Sequence, residues 1–420
     1  MLKKIKDHDA LKHLGPGLIT GAADDDPSGI ATYSQAGAQY GFNMLWTIVL
    51  TYPLMVGIQM VSARMGRITG KGLAANIRAV FPRPILLFII GLLALANTIN
   101  IAADIAAMGE ALRLITGGSE HFYALIFGFV SLVMQIFMPY ERYVRFLKWL
   151  TLALLAYVAV VFTVNVPWLE VLLRTVWPRF TFDSDSITLI VAVFGTTISP
   201  YLFFWQATHE AQDVRSDPNA DALIRSPEQA KAHLRRIKWD TYIGMGFSNL
   251  IAFFIILSTA VTLNAAGVTQ IQTAAQAAEA LRPIAGELTF VLFALGIIGT
   301  GMLAVPVLAG SAAYAVAEAF DWPTGLDRKL FEAKEFYAIV TFATAGGVLL
   351  GLTPIDPIKA LFWSAVINGF IAVPIMAVMM ILAQRPDVMG QFVVKPRLRI
   401  LGWAATAVMA IAVVAMVATM

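Results

Sequence analysis

The chain has no cysteine, which excludes disulfides, thiolate metal centres and cysteine nucleophiles together. Charge is scarce as well: Asp, Glu, Lys and Arg make up 14% of its 420 residues, against about 25% in soluble domains. A formal net charge of +3 is too small for a nucleic-acid footprint, so no such partner is expected. No phosphate loop, catalytic dyad or nucleophile motif is present, and Gly299-Thr300-Gly301 lacks the strand-to-helix context of a nucleotide site. The chain therefore does not read as an enzyme, and no cofactor is expected. Met1 to His13 is charged and polar, without the apolar core of a cleavable signal peptide. What remains is apolar: 58% hydrophobic residues and a mean hydropathy of +0.73. This is the composition of an all-α polytopic membrane protein, with the lipid bilayer as its surroundings.

Apolar runs of roughly 20 residues, long enough to cross a bilayer, recur almost to the C-terminus. Spans are expected at 14–41, 42–63, 84–115, 121–138, 145–166, 186–210, 239–265, 284–320, 336–353, 357–384 and 400–418. They form one transporter domain, 1–420, with a cytoplasmic tail at 1–13 and a cytoplasmic loop at 211–238. With the N-terminus inside, all but five of the 30 Lys and Arg fall on the cytoplasmic side; the exceptions are Arg113, Arg174, Arg179, Arg282 and Lys359. That bias matches the positive-inside rule and puts the C-terminus outside. The small residues of span 8, from Gly296 to Pro306, let helices approach closely.

Two spans carry the same defect. Span 1 contains Asp24-Asp25-Asp26-Pro27-Ser28-Gly29, and span 6 contains Gly195-Thr196-Thr197-Ile198-Ser199-Pro200. A carboxylate at bilayer depth costs at least about 2.5 kcal/mol, and Pro and Gly favour an opened backbone. Non-helical backbone survives there only where protein or a water-filled cavity covers it. The breaks are five spans apart, which predicts an inverted repeat of spans 1–5 and 6–10 with span 11 appended and a substrate site between the breaks. The end of the first half-helix presents free carbonyls and partial negative charge. Asp26 beside them suits a divalent metal, with matching carbonyls around Thr196 and the Ser199 hydroxyl opposite. Asp24 and Asp25 cannot both face the same site as Asp26.

Other polar residues carry two readings each. Asn97, Asn100 and Asp104 share one face of span 3, either lining an ion or proton path or serving as interhelical glue. Gln206 and His209 extend span 6 towards the cytoplasm as a vestibule lining or as satisfied core groups. Glu110, on another face of span 3, is given no role.

The run Asp26-Pro27-Ser28-Gly29-Ile30-Ala31-Thr32-Tyr33-Ser34-Gln35-Ala36-Gly37 resembles the helix 1 signature of the Nramp divalent-metal transporters, Asp-Pro-Gly-Asn followed by a similar Ala-Thr-…-Gln-Ala-Gly. Gly66 with Thr69-Gly70-Lys71-Gly72-Leu73, and Ile101-Ala102 with Asp104-Ile105-Ala106, are similar to that family too. The resemblance implies a LeuT-type fold, alternating access and a bacterial plasma (inner) membrane location. It also implies Asp26 and the backbone carbonyls of Ala23 and Thr196 as metal ligands. Where the family has its ligand Asn this chain has Gly29, and where it has its ligand Met this chain has Ser199. The family's two span 6 histidines are Tyr201 and Gln206, and its second span 3 acid is Ala107. This pattern is similar to the Nramp-related magnesium transporters, a branch marked by loss of the Asn and Met ligands.

Thioether sulfur favours transition metals over Mg²⁺, so its loss abandons selectivity against hard ions. Gly29 in place of Asn is expected to enlarge the pocket, and Mg²⁺ usually keeps several waters beside one or two carboxylates. The expectation is a secondary transporter of Mg²⁺ and Mn²⁺ without proton coupling, with Asp24, Asp25, Tyr201 and Gln206 around the site. The alternatives are a proton-coupled Mn²⁺/Fe²⁺ importer of ordinary Nramp type and, from another class, a cation-coupled amino-acid symporter.

Overall fold

Two interruptions in the most deeply buried helices set the architecture. The computed structural model describes residues 20–420 apart from 22, 139–150, 180–181, 218 and 327. The expected tail and the opening turns of span 1 lie outside the described residues. Residues 20–21 and 23–24 are helical, the backbone opens at Asp25 and Asp26, and α1 (Pro27–Tyr40) continues beyond. Pro27 suits the first helical position, where its missing N–H is not needed. α2 (Leu45–Thr69) follows, then the short α3 (Leu73–Val80), the long α4 (Arg83–Thr116) and α5 (Glu120–Phe137). After the undescribed stretch come α6 (Leu155–Thr163) and α7 (Trp168–Val176), then the second broken pair, α8 (Ser184–Thr197) and α9 (Pro200–Ser216). The chain ends with α10 (Ala230–Thr259), α11 (Thr289–Phe320), α12 (Lys334–Gly351), α13 (Pro357–Ala383) and α14 (Pro396–Thr419).

Among the described residues, eight helical runs are long and apolar enough to cross a membrane, or nine if a bent pair counts as one span. Expected spans 1 and 2 appear within one 43-residue run, Pro27–Thr69. Such a run would be about 64 Å long, twice the apolar thickness of a bilayer, and Gly41 at φ 57 ends α1 inside it. Expected span 5 falls partly on undescribed residues, and α12 opens on Lys334 and Glu335.

Two boundaries differ from the sequence reading. Expected span 5 was drawn to 166, but α6 ends at Thr163 and the chain bends by 118° into α7. Pro167 caps α7 and cannot continue α6. The expected loop 211–238 is mostly helix, because α9 runs to Ser216 and α10 starts at Ala230. The stretch is expected to hold one short helix; instead it is flanked by the ends of two long ones, with Ile237 fully buried and Arg236 paired with Glu210 of α9.

The most apolar stretch of the α8–α9 pair is 94% buried, whereas that of α5 is 22% buried and that of α14 33%. The broken pair is therefore the centre, and α5 and α14 face lipid with Phe129 and Ile411 exposed. α2 packs along α9, the second half of the second broken helix, while α10 packs along α1, the second half of the first. That exchange of partners is what an inverted repeat of spans 1–5 and 6–10 requires. Small residues permit the approach. A Cβ on Gly37 would strike Ile256 and Thr259 of α10, and one on Gly66 would strike the Ala207 backbone of α9. α4 crosses the middle between α11 and α13.

Gly195, just before the second break, sits against the backbone of α13; an added Cβ would meet the Ala365 carbonyl and lie 2.8 Å from Gly369 Cα. Gly195→Val should therefore cost about 1–3 kcal/mol through overpacking, read as a lower melting temperature in detergent. Gly91→Val, where nothing lies within 4 Å, should melt like the parent.

Candidate metal site

The first break is organised by one carboxylate. Asp26 has extended backbone (φ −74, ψ 170) and caps α1, accepting from Gly29 N at 2.8 Å and Ser28 Oγ at 2.7 Å through Oδ1. Such a cap contributes about 1 kcal/mol. Its other oxygen, Oδ2, lies 3.4 Å from the Tyr201 hydroxyl, which also donates to the Ala23 carbonyl at 3.1 Å. Asp26, Ala23 and Tyr201 are all buried.

At the second break, α8 stops at Thr197 and α9 starts at Pro200. The Ser199 hydroxyl donates to Thr196 O at 2.8 Å and to Gly195 O at 3.1 Å, satisfying the carbonyls that the break frees. Two hydroxyl contacts join the breaks: Ser28 to Thr196 at 3.4 Å, and Tyr33 to Thr197 at 3.0 Å. The expected oxygens of Asp26, Ala23 and Thr196 are thus brought to one region, each already held by a hydroxyl.

Gly29 is closely flanked: a Cβ there would meet the Thr196 hydroxyl and the Tyr33 ring, each at 3.3 Å.

The other two aspartates turn elsewhere. Ser248 of α10 donates to Asp24 Oδ2 at 2.6 Å and stands 3.0 Å from Asp25 Oδ1, so both serve the contact of the first half-helix with α10. Asp104 of α4 is fully buried, and among the described residues neither of its carboxylate oxygens has a hydrogen-bond partner, nor does Asp24 Oδ1. Among the described residues no Lys or Arg forms an ion pair with Asp24, Asp25, Asp26 or Asp104. Buried carboxylates in that state favour a cation. Yet no three of His, Asp and Glu converge closely enough to hold a metal among the described residues. An ion held here draws on carbonyls, hydroxyls and water beside Asp26.

The rest of the polar face of α4 is committed to neighbours. Asn97 donates to Leu308 O at 2.8 Å and Ser311 Oγ at 2.7 Å on α11, and Asn100 pairs with Asn368 of α13 at 2.9 Å. Gln206 accepts from Gln59 of α2 and lies 3.5 Å from Thr241 of α10. His209 packs on the rings of Trp205 and Tyr314. Of Asp24, Asp25, Asn97, Asn100, Asp104, Tyr201 and Gln206, the residues expected around the site or along a path, only Tyr201 has a hydrogen bond to Asp26.

Several residues were missed. Ser248 and Asn368 are polar residues in mid-span, the same signal that exposed Asn97 and Asn100. Glu318, near the end of α11, accepts from Thr208 of α9 at 2.8 Å and from Ala75 N at 3.3 Å, joining α9 to the start of α3.

Comparison with known proteins bears on this arrangement. The profile described as Nramp, natural resistance-associated macrophage protein-like, matches residues 17–419. A divalent metal cation transporter MntH from Deinococcus radiodurans is 28% identical over 403 residues, covering 94% of this chain and 86% of that protein. The Klebsiella pneumoniae protein of the same name is 26% identical over 404 residues, covering 94% and 91%. Among solved structures, an Eremococcus coleocola manganese transporter in complex with an aromatic bis-isothiourea substituted compound superposes with a TM-score of 0.77 at 15% identity, covering 99% of this chain and 89% of that one. Mhp1, a nucleobase-cation-symport-1 family transporter, superposes at 0.57 and 15% identity, covering 96% and 92%. These likenesses show the LeuT-like fold.

Asp26→Ala removes both a helix cap and the carboxylate of the break. The expected result is a folded protein less stable by about 1 kcal/mol that no longer gains melting temperature from added Mn²⁺ or Mg²⁺. A variant that keeps the full metal-induced gain would move the site to Asp24, Asp25 or Asp104.

Proposed function

The chain belongs to the Nramp family, a family of transporters and not of enzymes, and on that premise we propose that it carries divalent metal cations across the membrane by alternating access. The observation that carries the reading is the meeting of the two breaks around Asp26, where the Ala23 carbonyl shares the Tyr201 hydroxyl with it and the Thr196 hydroxyl contacts Ser28. A carboxylate and helix-end carbonyls attract a cation and repel the carboxylate of an amino acid, which disfavours the symporter alternative. All these groups are buried, so an ion passes only if the elements around the breaks rearrange. We take the membrane topology as eleven spans with the N-terminus inside and the C-terminus outside.

For the ion, two observations pull in different directions. The named relatives are divalent metal cation transporters, and the Eremococcus coleocola structures are of a manganese transporter, which favours Mn²⁺ and the ordinary Nramp type. The donors at the breaks are all oxygen, with Ser199 and Gly29 at the positions of the family's Met and Asn, which supports Mg²⁺ as a second substrate. We read the protein as a Mn²⁺ transporter that also admits Mg²⁺. A double substitution, Ser199→Met with Gly29→Asn, should shift competition towards Mn²⁺ or Cd²⁺. The shift should be modest, because Thr196 and Tyr33 crowd position 29. An unchanged Mn²⁺/Mg²⁺ ratio would mean that α9 does not touch the ion.

The driving force is read as the ion gradient and membrane potential, without stoichiometric proton import. The family's histidine positions hold Tyr201 and Gln206, whose partners are a carbonyl, Asp26 and neutral amides or hydroxyls. Uptake of Mg²⁺, Mn²⁺ and Ca²⁺ into proteoliposomes with an internal pH dye tests both points. The expected outcome is Mn²⁺ and Mg²⁺ uptake at constant internal pH. Acidification that tracks uptake and vanishes in Asp26→Ala would establish the proton-coupled alternative.

A further inference from the structure

Three hydroxyls sit on the oxygens expected to hold the ion: Ser28 on Asp26 Oδ1, Ser199 on Thr196 O, and Tyr201 on Ala23 O. Ser28 and Ser199 hold oxygens of their own breaks, Ser28 also standing 3.4 Å from the Thr196 hydroxyl. Tyr201 differs, because from the first turn of α9 it holds expected ligand oxygens of the other break. Its oxygen lies 3.1 Å from Ala23 O and 3.4 Å from Asp26 Oδ2. That is close to the spacing of a water bridging two acceptors. The side chain is fully buried, so packing fixes where the oxygen stands. A phenol has one proton for these acceptors and lone pairs left over.

We propose that the Tyr201 hydroxyl is a built-in oxygen of the ion's shell, standing in for one water, and that it raises the share of Mg²⁺ that this site accepts relative to Mn²⁺. The proposal rests on the reading of the breaks as a divalent-cation site and names the residue that tunes it. Mg²⁺ dehydrates reluctantly and usually keeps several waters. A water-like oxygen already placed against Asp26 and Ala23 compensates the one water given up with an oxygen of similar kind in a fixed position. Removing that oxygen leaves two bare acceptors, which an ion must meet directly or through a newly recruited water. Mn²⁺, which sheds water more readily, loses less. Tyr337 provides a comparison away from the breaks: it is a buried phenol of α12 whose hydroxyl donates to Arg328 O at 2.8 Å.

The test is competitive uptake of Mg²⁺ and Mn²⁺ by proteoliposomes of the whole chain carrying Tyr201→Phe, with Tyr337→Phe as control. Tyr201→Phe is expected to lower Mg²⁺ uptake about tenfold or more and Mn²⁺ uptake far less, while Tyr337→Phe leaves the ratio of the two ions as in the parent. An equal loss of both ions, or an unchanged ratio in monodisperse Tyr201→Phe, overturns the proposal alone. Absence of both ions' uptake in the parent overturns the transport reading with it. A second measurement does not depend on the Phe variant folding: 3-fluorotyrosine placed at 201 retains the hydroxyl. Its fluorine resonance should shift with Mg²⁺ and broaden away with Mn²⁺; a resonance that responds to neither overturns the proposal.

Discussion

One carboxylate at a helix start carries much of the molecule's design. Asp26 stops the first half-helix from running into α1, caps the new helix through Gly29 N and Ser28, and turns its second oxygen towards α9. A buried anion at the positive end of α1 is favoured by the helix dipole, yet among the described residues no Lys or Arg forms an ion pair with it. The capping bonds satisfy Oδ1 and leave Oδ2 facing a single phenol. The electrostatics of the fold and of the candidate site are therefore the same interaction. Nothing can replace Asp26 in one role without disturbing the other.

Around it the protein has built with hydroxyls. Ser28 with Thr196, Tyr33 with Thr197, and Tyr201 with Ala23 and Asp26 tie the two breaks together, Ser199 holds carbonyls of the second, and Ser248 ties Asp24 and Asp25 to α10. Hydroxyls both donate and accept, so such a shell can hold free carbonyls when no ion is present and yield lone pairs when one arrives. A thioether cannot hold a carbonyl in this way. Elsewhere the polar side chains are interhelical fasteners: Asn97 and Asn100 lock α4 to α11 and α13, and Glu318 joins α9 to the start of α3.

Much of this was legible in the order of residues. Span positions follow from apolar length, and both breaks follow from Pro and small polar residues where the bilayer tolerates no open backbone. The primary role of Asp26 follows from its place before Pro27 at a helix start. The loss of soft ligands is a statement about residue type, and Ser199 and Gly29 make it directly. The end of α6 and the length of α9 were misjudged because charge and apolarity describe the environment of a segment rather than its backbone. Residues 211–216 and 230–238 are polar and still helical.

Sequence alone determined that this is a polytopic helical membrane protein with paired broken helices and an acidic first break, because each property depends on local composition and spacing. Only the tertiary structure decided which groups meet. Tyr201 reaches Ala23, Ser248 reaches Asp24, and Ser28 reaches Thr196 across separations of 178, 224 and 168 residues. Periodicity fixes the face of a helix on which a residue stands, but not the helix that will lie against it. For the same reason it could not say that Asp24 and Asp25 turn to α10 while Asp26 turns to α9. Nor could it say that Thr196 and Tyr33 closely flank Gly29. Those choices are made by close packing at Gly37, Gly66 and Gly195, where missing side chains let distant backbones touch.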